Sequence, residues 1–149
     1  MADTTTPSTK TRWHLWVVGV LSLLWNAFGA LDFCMTESRN PAYLKGFTPA
    51  QIEYIYGFPL WSVAAWGIAV WGGVLGSVLL LARRRLAVPV FLVSLVAMVI
   101  TAVHNYLLSD WVKVMGGGVG MPIFSAVIFL ICLALWLYAN SMRAKGMLR

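Results

Sequence analysis

Six polar side chains that could do chemistry stand at the edges of long apolar runs. They are Asn26, Asp32, Glu53, His104, Asn105 and Tyr106. Carboxylates, imidazoles, carboxamides and phenols can bind a polar solute or relay a proton. Ionisable groups are costly to place near hydrocarbon, so their presence there often marks a function. We take these six as candidate substrate-binding residues and predict no catalytic residue.

Two other interpretations of these residues stay open. A histidine and a carboxylate can tie two helices together as a structural pair without binding a solute. The other interpretation is a metal site, although the chain has no HxxxH or HExxH motif and no close pair of cysteines. His14 and His104 are expected on opposite membrane sides, so they cannot share one haem. We therefore expect no metal and no cofactor. We also expect no enzyme, since no nucleophile, base and acid share one depth.

The composition assigns these residues to a membrane protein. The chain has 149 residues, of which 60% are hydrophobic and only 11% are charged, whereas soluble domains have about 25% charged residues. A chain this short cannot hide so much apolar surface from water, so the lipid bilayer must cover part of it. The net charge is +6. It clusters at the ends of the apolar runs, which indicates anionic lipid headgroups and not nucleic acid as its partner.

Four apolar segments must position the candidate side chains. They cover residues of about 13–35, 58–82, 86–108 and 121–141. Each is long enough to cross a hydrocarbon core of about 30 Å as a helix. We predict an all-α membrane protein, a four-transmembrane-helix bundle over residues 13–141. A disordered cytoplasmic tail over 1–12 precedes it, and a basic cytoplasmic tail over 142–149 follows it.

Lysines and arginines are shared unevenly between the two predicted membrane sides. Eight fall on the side with both chain ends and Arg83–Arg85, and three fall on the other. This excess predicts that both termini are cytoplasmic. A cleaved signal peptide ending before Ala30 is the alternative for the first segment, but Asn26 and the Trp-rich run fit a retained span better.

The connection between the first two spans has the signals of a helix start. Thr48 is a good N-cap, Pro49 suits the first helical position, and Gln51 completes a capping box. We predict a short amphipathic helix from about Pro49 to Tyr56 in the outer membrane interface. It serves either as a re-entry helix with an aromatic belt or as a lid over a ligand site.

The second span has a stripe of small residues. It consists of Ala65, Ala69, Gly72, Gly73 and Gly76. Small residues at this spacing let two helices approach closely. The pattern leaves open whether the second helix belongs to the same chain. We expect a homo-oligomer or a partner membrane protein at Gly72–Gly76. In the first span, the buried Asn26 is expected to form an interhelical hydrogen bond.

Four runs have a resemblance to a known family. They are LLWNAFGALDF (23–33), FTPAQIEYIYGFPLW (47–61), WGIAVWGGVLGSVLLLARRRLAVPVFLVSLV (66–96) and TAVHNYLLS (101–109). Together they resemble small four-span bacterial inner-membrane proteins that are often labelled "sugar transporter". The glycine-bearing first span and the Arg-rich second connection are also similar to DoxX-like membrane proteins. These resemblances imply the bacterial inner membrane and four spans, and they supply no catalytic residues.

The leading functional hypothesis is the handling of a small, sugar-like solute at an outward-facing polar pocket, with transport as one form of it. A second hypothesis is an accessory or assembly subunit of a larger membrane complex that has no solute of its own. A quinone-linked redox subunit is a third, and it rests only on the DoxX-like analogy.

Overall fold

The structure, a computed structural model, describes residues 10–149, with side chains from Trp13 onward. Its regular elements are all helical. They are α1 (Lys10–Glu37), α2 (Pro41–Leu44), α3 (Pro49–Tyr56), α4 (Leu60–Leu81), α5 (Ala87–Val103), a π-helical turn (His104–Leu108), α6 (Trp111–Val114) and α7 (Gly120–Ala144). The tail predicted as disordered covers residues 1–12. Residues 1–9 of it lie outside the described residues. The remaining three belong to α1, which begins at Lys10.

Four helices are long and apolar enough to cross a membrane, as the sequence predicts. The spans are Trp13–Glu37, Leu60–Leu81, Ala87–Leu108 and Gly120–Ala144. The protein is therefore a multi-pass membrane protein with a four-helix bundle. We call the side with the start of α1, the Arg83–Arg85 turn and the end of α7 the terminal side. The opposite side, with the 38–59 and 109–119 connections, is the loop side.

The spans are arranged in chain order. Helix α4 packs against both α1 and α5, and α5 packs against α7, whereas α1 and α7 do not pack along their lengths. On the terminal side all four spans contribute to one buried cluster, formed by Leu15, Leu80, Ala87, Val88, Phe91, Leu135, Ala139, Met142 and Leu148. The bundle is therefore closed on the terminal side, while α1 and α7 are free to diverge on the loop side.

The last residues fold back onto the arginine turn. The amide of Arg149 donates to the carbonyl of Arg83 at 2.6 Å, and the amide of Arg85 donates to the carbonyl of Arg149 at 2.9 Å. The Arg85 Nε also donates to the Leu148 carbonyl at 3.1 Å. This pairing holds the Leu148 side chain, which is fully buried, inside the terminal-side cluster.

The small-residue stripe of α4 packs against helices of the same chain. A Cβ on Gly72 would lie 3.0 Å from the Ser94 Cβ of α5, and one on Gly76 would lie 2.7 Å from the Phe91 ring. A Cβ on Gly73 would overlap the Asn26 carboxamide of α1. The glycines therefore allow α4 to sit closely between α1 and α5.

The two alanines of the stripe have the same packing role. Ala65 is buried, and the Ala69 carbonyl accepts a hydrogen bond from the Ser94 hydroxyl at 2.6 Å. The stripe therefore packs against α1 and α5 of the same chain, and the homo-oligomer or partner protein expected at Gly72–Gly76 stays a prediction.

The predicted capping box and short helix in the first connection are confirmed. Thr48 Oγ1 accepts from the Gln51 amide, the Gln51 side chain accepts from the Thr48 amide, and α3 runs from Pro49 to Tyr56. The Gln51 Nε2 donates to the Val114 carbonyl at 3.2 Å. The Tyr56 hydroxyl donates to the Thr36 carbonyl at 2.6 Å. Helix α3 is thus tied to the end of α1 and to the second loop-side connection.

Candidate ligand cavity

A cavity of about 600 Å³ lies in the loop-side half of the bundle and is lined by all four spans. From α1 it is lined by Trp25, Asn26, Phe28, Gly29 and Asp32. These positions recur every three or four residues, so they share one face of the helix. The cavity reaches down to Asn26, near the middle of α1, and stops above the terminal-side cluster.

The other spans contribute matching faces. Helix α4 lines the cavity with Trp66, Ala69 and Val70, and α7 does so with Phe124, Ser125, Ile128 and Cys132. From the third span the lining residues are Met98, Thr101, Ala102, Asn105 and Tyr106. Most of these side chains are apolar. The polar ones lie mainly towards the loop side, so the cavity has an apolar body and a polar end.

Among the side chains that the structure describes, Asp32 is the only charged one that lines the cavity, and it lies at the exposed mouth. The Tyr43 hydroxyl donates a hydrogen bond to the Asp32 carboxylate. Tyr43 is placed there by α2, whose N-cap Asn40 accepts from the amides of Ala42 at 3.0 Å and Tyr43 at 3.2 Å. Burial, together with the hydrogen bond to the Asp32 carboxylate and the charge of that group, raises the pKa of Tyr43 to about 12. Tyr43 therefore stays a hydrogen-bond donor well into the alkaline range.

A second polar group joins the third span to α7. The Tyr106 hydroxyl lies 2.6 Å from the Ser125 hydroxyl and donates to the Met121 carbonyl at 3.2 Å. Asn105 lies beside it, and its Oδ1 is 3.2 Å from the His104 Nδ1. These groups come from elements other than those of Asp32 and Tyr43, so polar atoms approach the cavity from several directions.

Asn26 lies at the inner end of the cavity and is almost fully buried. Its Nδ2 donates to the Ser22 carbonyl at 2.8 Å and to the Ser77 hydroxyl of α4 at 3.3 Å. The interhelical hydrogen bond expected for Asn26 is therefore present. Because its N–H groups are used in this way, the carboxamide holds α1 against α4 while it borders the cavity.

Two of the six sequence candidates lie away from the cavity. His104 is buried, with its ring centroid 4.8 Å from that of Phe58 and 5.2 Å from that of Trp61. Glu53 is exposed on α3. The structure thus brings Asn26, Asp32, Asn105 and Tyr106 together and leaves His104 and Glu53 apart.

The π-helical turn accounts for the separation of His104 from its neighbours. One extra residue per turn widens the helix and changes the direction of the side chains that follow. His104 begins the turn and packs against the start of α4, while Asn105 and Tyr106 border the cavity. Asp110, which the sequence places near the same polar region, forms an exposed ion pair with Lys113 at 2.7 Å.

Among the hydroxyl-bearing residues that line the cavity, Tyr43, Thr101 and Ser125 were not among the sequence candidates. Tyr43 lies in a connection, where only the Asn40–Pro41 pair signals the helix that places it. Ser125 is an isolated serine near the start of an apolar span, and nothing local distinguishes it from a serine that bonds its own helix.

The groups that line the cavity are suited to contact with a small molecule. Within residues 10–149, no three His, Cys, Asp or Glu side chains lie close enough to hold a metal ion. Comparisons of the chain with protein-family models, with curated proteins and with solved structures found no match. The cavity offers hydrogen bonds, aromatic faces and one carboxylate, which can hold a small molecule of mixed polarity.

Proposed function

We propose that this membrane protein binds a small solute in the loop-side cavity. The observation that supports the proposal most is the cavity itself, with about 600 Å³ of space and polar groups from several elements at one end. Small-molecule sites commonly have volumes of about 300–1,000 Å³, with mostly apolar walls and a few convergent polar groups. A bundle that needed only to anchor itself in lipid would pack its spans together and leave no such space.

We further propose the bacterial inner membrane as the location, with both termini in the cytoplasm. The support is the excess of Lys and Arg on the terminal side. In that orientation the mouth of the cavity at Asp32 faces outward, so the solute is taken from or released to the outer side. The sugar-like solute implied by the resemblance could use Asp32, Asn105 and Tyr106 as hydrogen-bonding partners.

Transport of the solute would require a second conformation. The terminal-side cluster closes the path below Asn26, and the His14 Nδ1 lies 2.6 Å from the Tyr138 hydroxyl between α1 and α7. Opening on that side would separate these two groups. In such a cycle, a cavity that is open at Asp32 and closed below Asn26 would represent the outward-open state.

The proposal is tested with one cavity-filling variant and one matched control. Ala102→Phe places a phenyl group in the cavity, whereas Ala64→Phe makes the same change on the exposed face of α4. Purified protein in detergent is heated with a panel of monosaccharides, disaccharides, and charged and neutral amphiphiles, and unfolding is followed by tryptophan fluorescence. A ligand of the cavity raises the midpoint of the wild type and of Ala64→Phe, and leaves Ala102→Phe unchanged.

Equal stabilisation of both variants would place the ligand elsewhere and contradict the proposal. A ligand found in this way is then supplied to vesicles that contain the protein, and its uptake distinguishes transport from binding alone.

A further inference from the structure

We propose that the ligand is an amphipathic cation, with its charged group at Asp32 and its apolar body in the cavity between α1 and α7. This inference rests on the proposed function, because it assumes that the cavity is a binding site. It adds the chemical class of the ligand, which follows from the walls, the opening and the charge of the cavity.

The opening of the cavity favours an apolar ligand body. Helices α1 and α7 both line the cavity, yet they do not pack along their lengths. Phe28 of α1 is 73% exposed and Phe124 of α7 is 57% exposed, and both border the cavity. In a bilayer the gap between these helices faces lipid chains. A ligand seated there has one side against hydrocarbon, which costs an apolar body less free energy than a body covered with hydroxyl groups.

The side chains that form the cavity walls also favour an apolar ligand body. The indoles of Trp25 and Trp66 line the cavity, and Trp66 is held in place by an edge-to-face contact with Phe33, with ring centroids 4.9 Å apart. Val70 and Ile128 add aliphatic surface. Indole faces attract cations as well as apolar groups, and they do so more strongly where water is excluded.

The negative charge at the polar end of the cavity favours a positively charged ligand. From Trp13 onward, no lysine, arginine or histidine side chain lines the cavity or lies within 4.0 Å of the Asp32 carboxylate. The nearby Arg39 lies over the Tyr56 ring, 4.3 Å from its centroid. Tyr43 donates one hydrogen bond to Asp32 but supplies no positive charge. A carboxylate next to a low-dielectric cavity attracts a cation and repels an anion more strongly than in water.

Three probes of one shape test this inference. 4-Phenylbutylamine, 4-phenylbutanol and 5-phenylpentanoate share a phenylbutyl body and differ in having a positive, neutral or negative end. Their dissociation constants are measured by calorimetry on the detergent-solubilised full chain at neutral pH. We expect the amine to bind about tenfold more tightly than the alcohol, as a charge-assisted contact allows, and the carboxylate to bind most weakly.

Two conservative variants test whether the preference for the amine over the alcohol depends on the Asp32 carboxylate. Asp32→Asn should reduce the preference for the amine over the alcohol to about twofold or less. Asp110→Asn makes the same change at an exposed carboxylate outside the cavity, and should leave the preference intact. Equal affinities for amine and alcohol in the wild type, or an equal loss in both variants, would overturn the inference.

The experiments can reject the cationic ligand without rejecting the cavity as a binding site. Binding of a sugar, or of the alcohol as tightly as the amine, that is abolished by Ala102→Phe and kept by Ala64→Phe would overturn the cationic ligand and leave the proposed function standing. Amine binding that is insensitive to Ala102→Phe would overturn both. Absence of binding by the whole probe set and the whole sugar panel would also overturn both.

Discussion

The phenol of Tyr43 donates a hydrogen bond to the carboxylate of Asp32, and this contact joins helix α2 to the loop-side end of the first span. It places the carboxylate that lines the cavity beside a hydrogen-bond donor from a connecting segment. The mouth of the cavity is therefore built by tertiary contact between two residues that are eleven positions apart.

The Tyr43–Asp32 contact should make stability depend on alkaline pH. The pKa of Tyr43 is raised from 10.0 to about 12 in the folded protein. A group whose pKa is raised by folding stabilises the fold fully below its unfolded pKa, and this stabilisation is lost as pH rises through the folded value. We expect the thermal midpoint of the wild type to fall between about pH 10 and about pH 12 more steeply than that of Tyr43→Phe. Parallel pH profiles for the two proteins would contradict the assignment.

The close approach of α1 and α4 depends on the absence of a side chain at Gly73. Gly73→Ala would push a methyl group into the Asn26 carboxamide and disturb its bond to Ser77. We expect a loss of about 1–3 kcal/mol in the free energy of unfolding, as for other overpacked sites. Gly120→Ala is the matched control, because a Cβ there meets nothing within 4 Å. Thermal unfolding in detergent should lower the midpoint of the first variant and not that of the second.

The fold-back of the last residues should contribute to stability through Leu148. Its side chain is fully buried in the terminal-side cluster, so Leu148→Ala leaves a cavity among packed neighbours. We expect destabilisation of about 2–5 kcal/mol, the usual range for a buried leucine. Leu130→Ala removes the same atoms from a side chain that is 60% exposed, and its midpoint should hardly change. A similar midpoint for the two variants would show that the tail is not packed in this way.

Asn105 and Glu53 should differ in their effect on ligand affinity. Asn105 borders the cavity, whereas Glu53 is exposed on α3. With any ligand that passes the Ala102→Phe test, we expect Asn105→Ala to weaken binding by about threefold to tenfold, the equivalent of one hydrogen bond. Glu53→Gln should leave the dissociation constant unchanged in the same titration. If Glu53→Gln weakens binding and Asn105→Ala does not, the ligand lies under α3, and that helix acts as a lid over the site.

Much of the fold could be predicted because it depends on consecutive residues. A hydrophobic run long enough to cross the bilayer must form a helix, since no water is present to satisfy its backbone groups. The capping box at Thr48 and Gln51 is equally local, because its hydrogen bonds join residues three apart. The glycine stripe predicts close helix packing, but not which helices fill it.

The sequence alone thus determined the four spans, the short helix α3 and the need for close packing along one face of α4. Only the tertiary structure decided which polar groups meet. It brought Tyr43 to Asp32, left His104 between Phe58 and Trp61, and kept α1 and α7 apart around a cavity. The physical reason is that spans of similar apolar composition can rotate and pair in several ways. The rotation of each span is set by the shapes of its neighbours and, in the third span, by one π-helical turn.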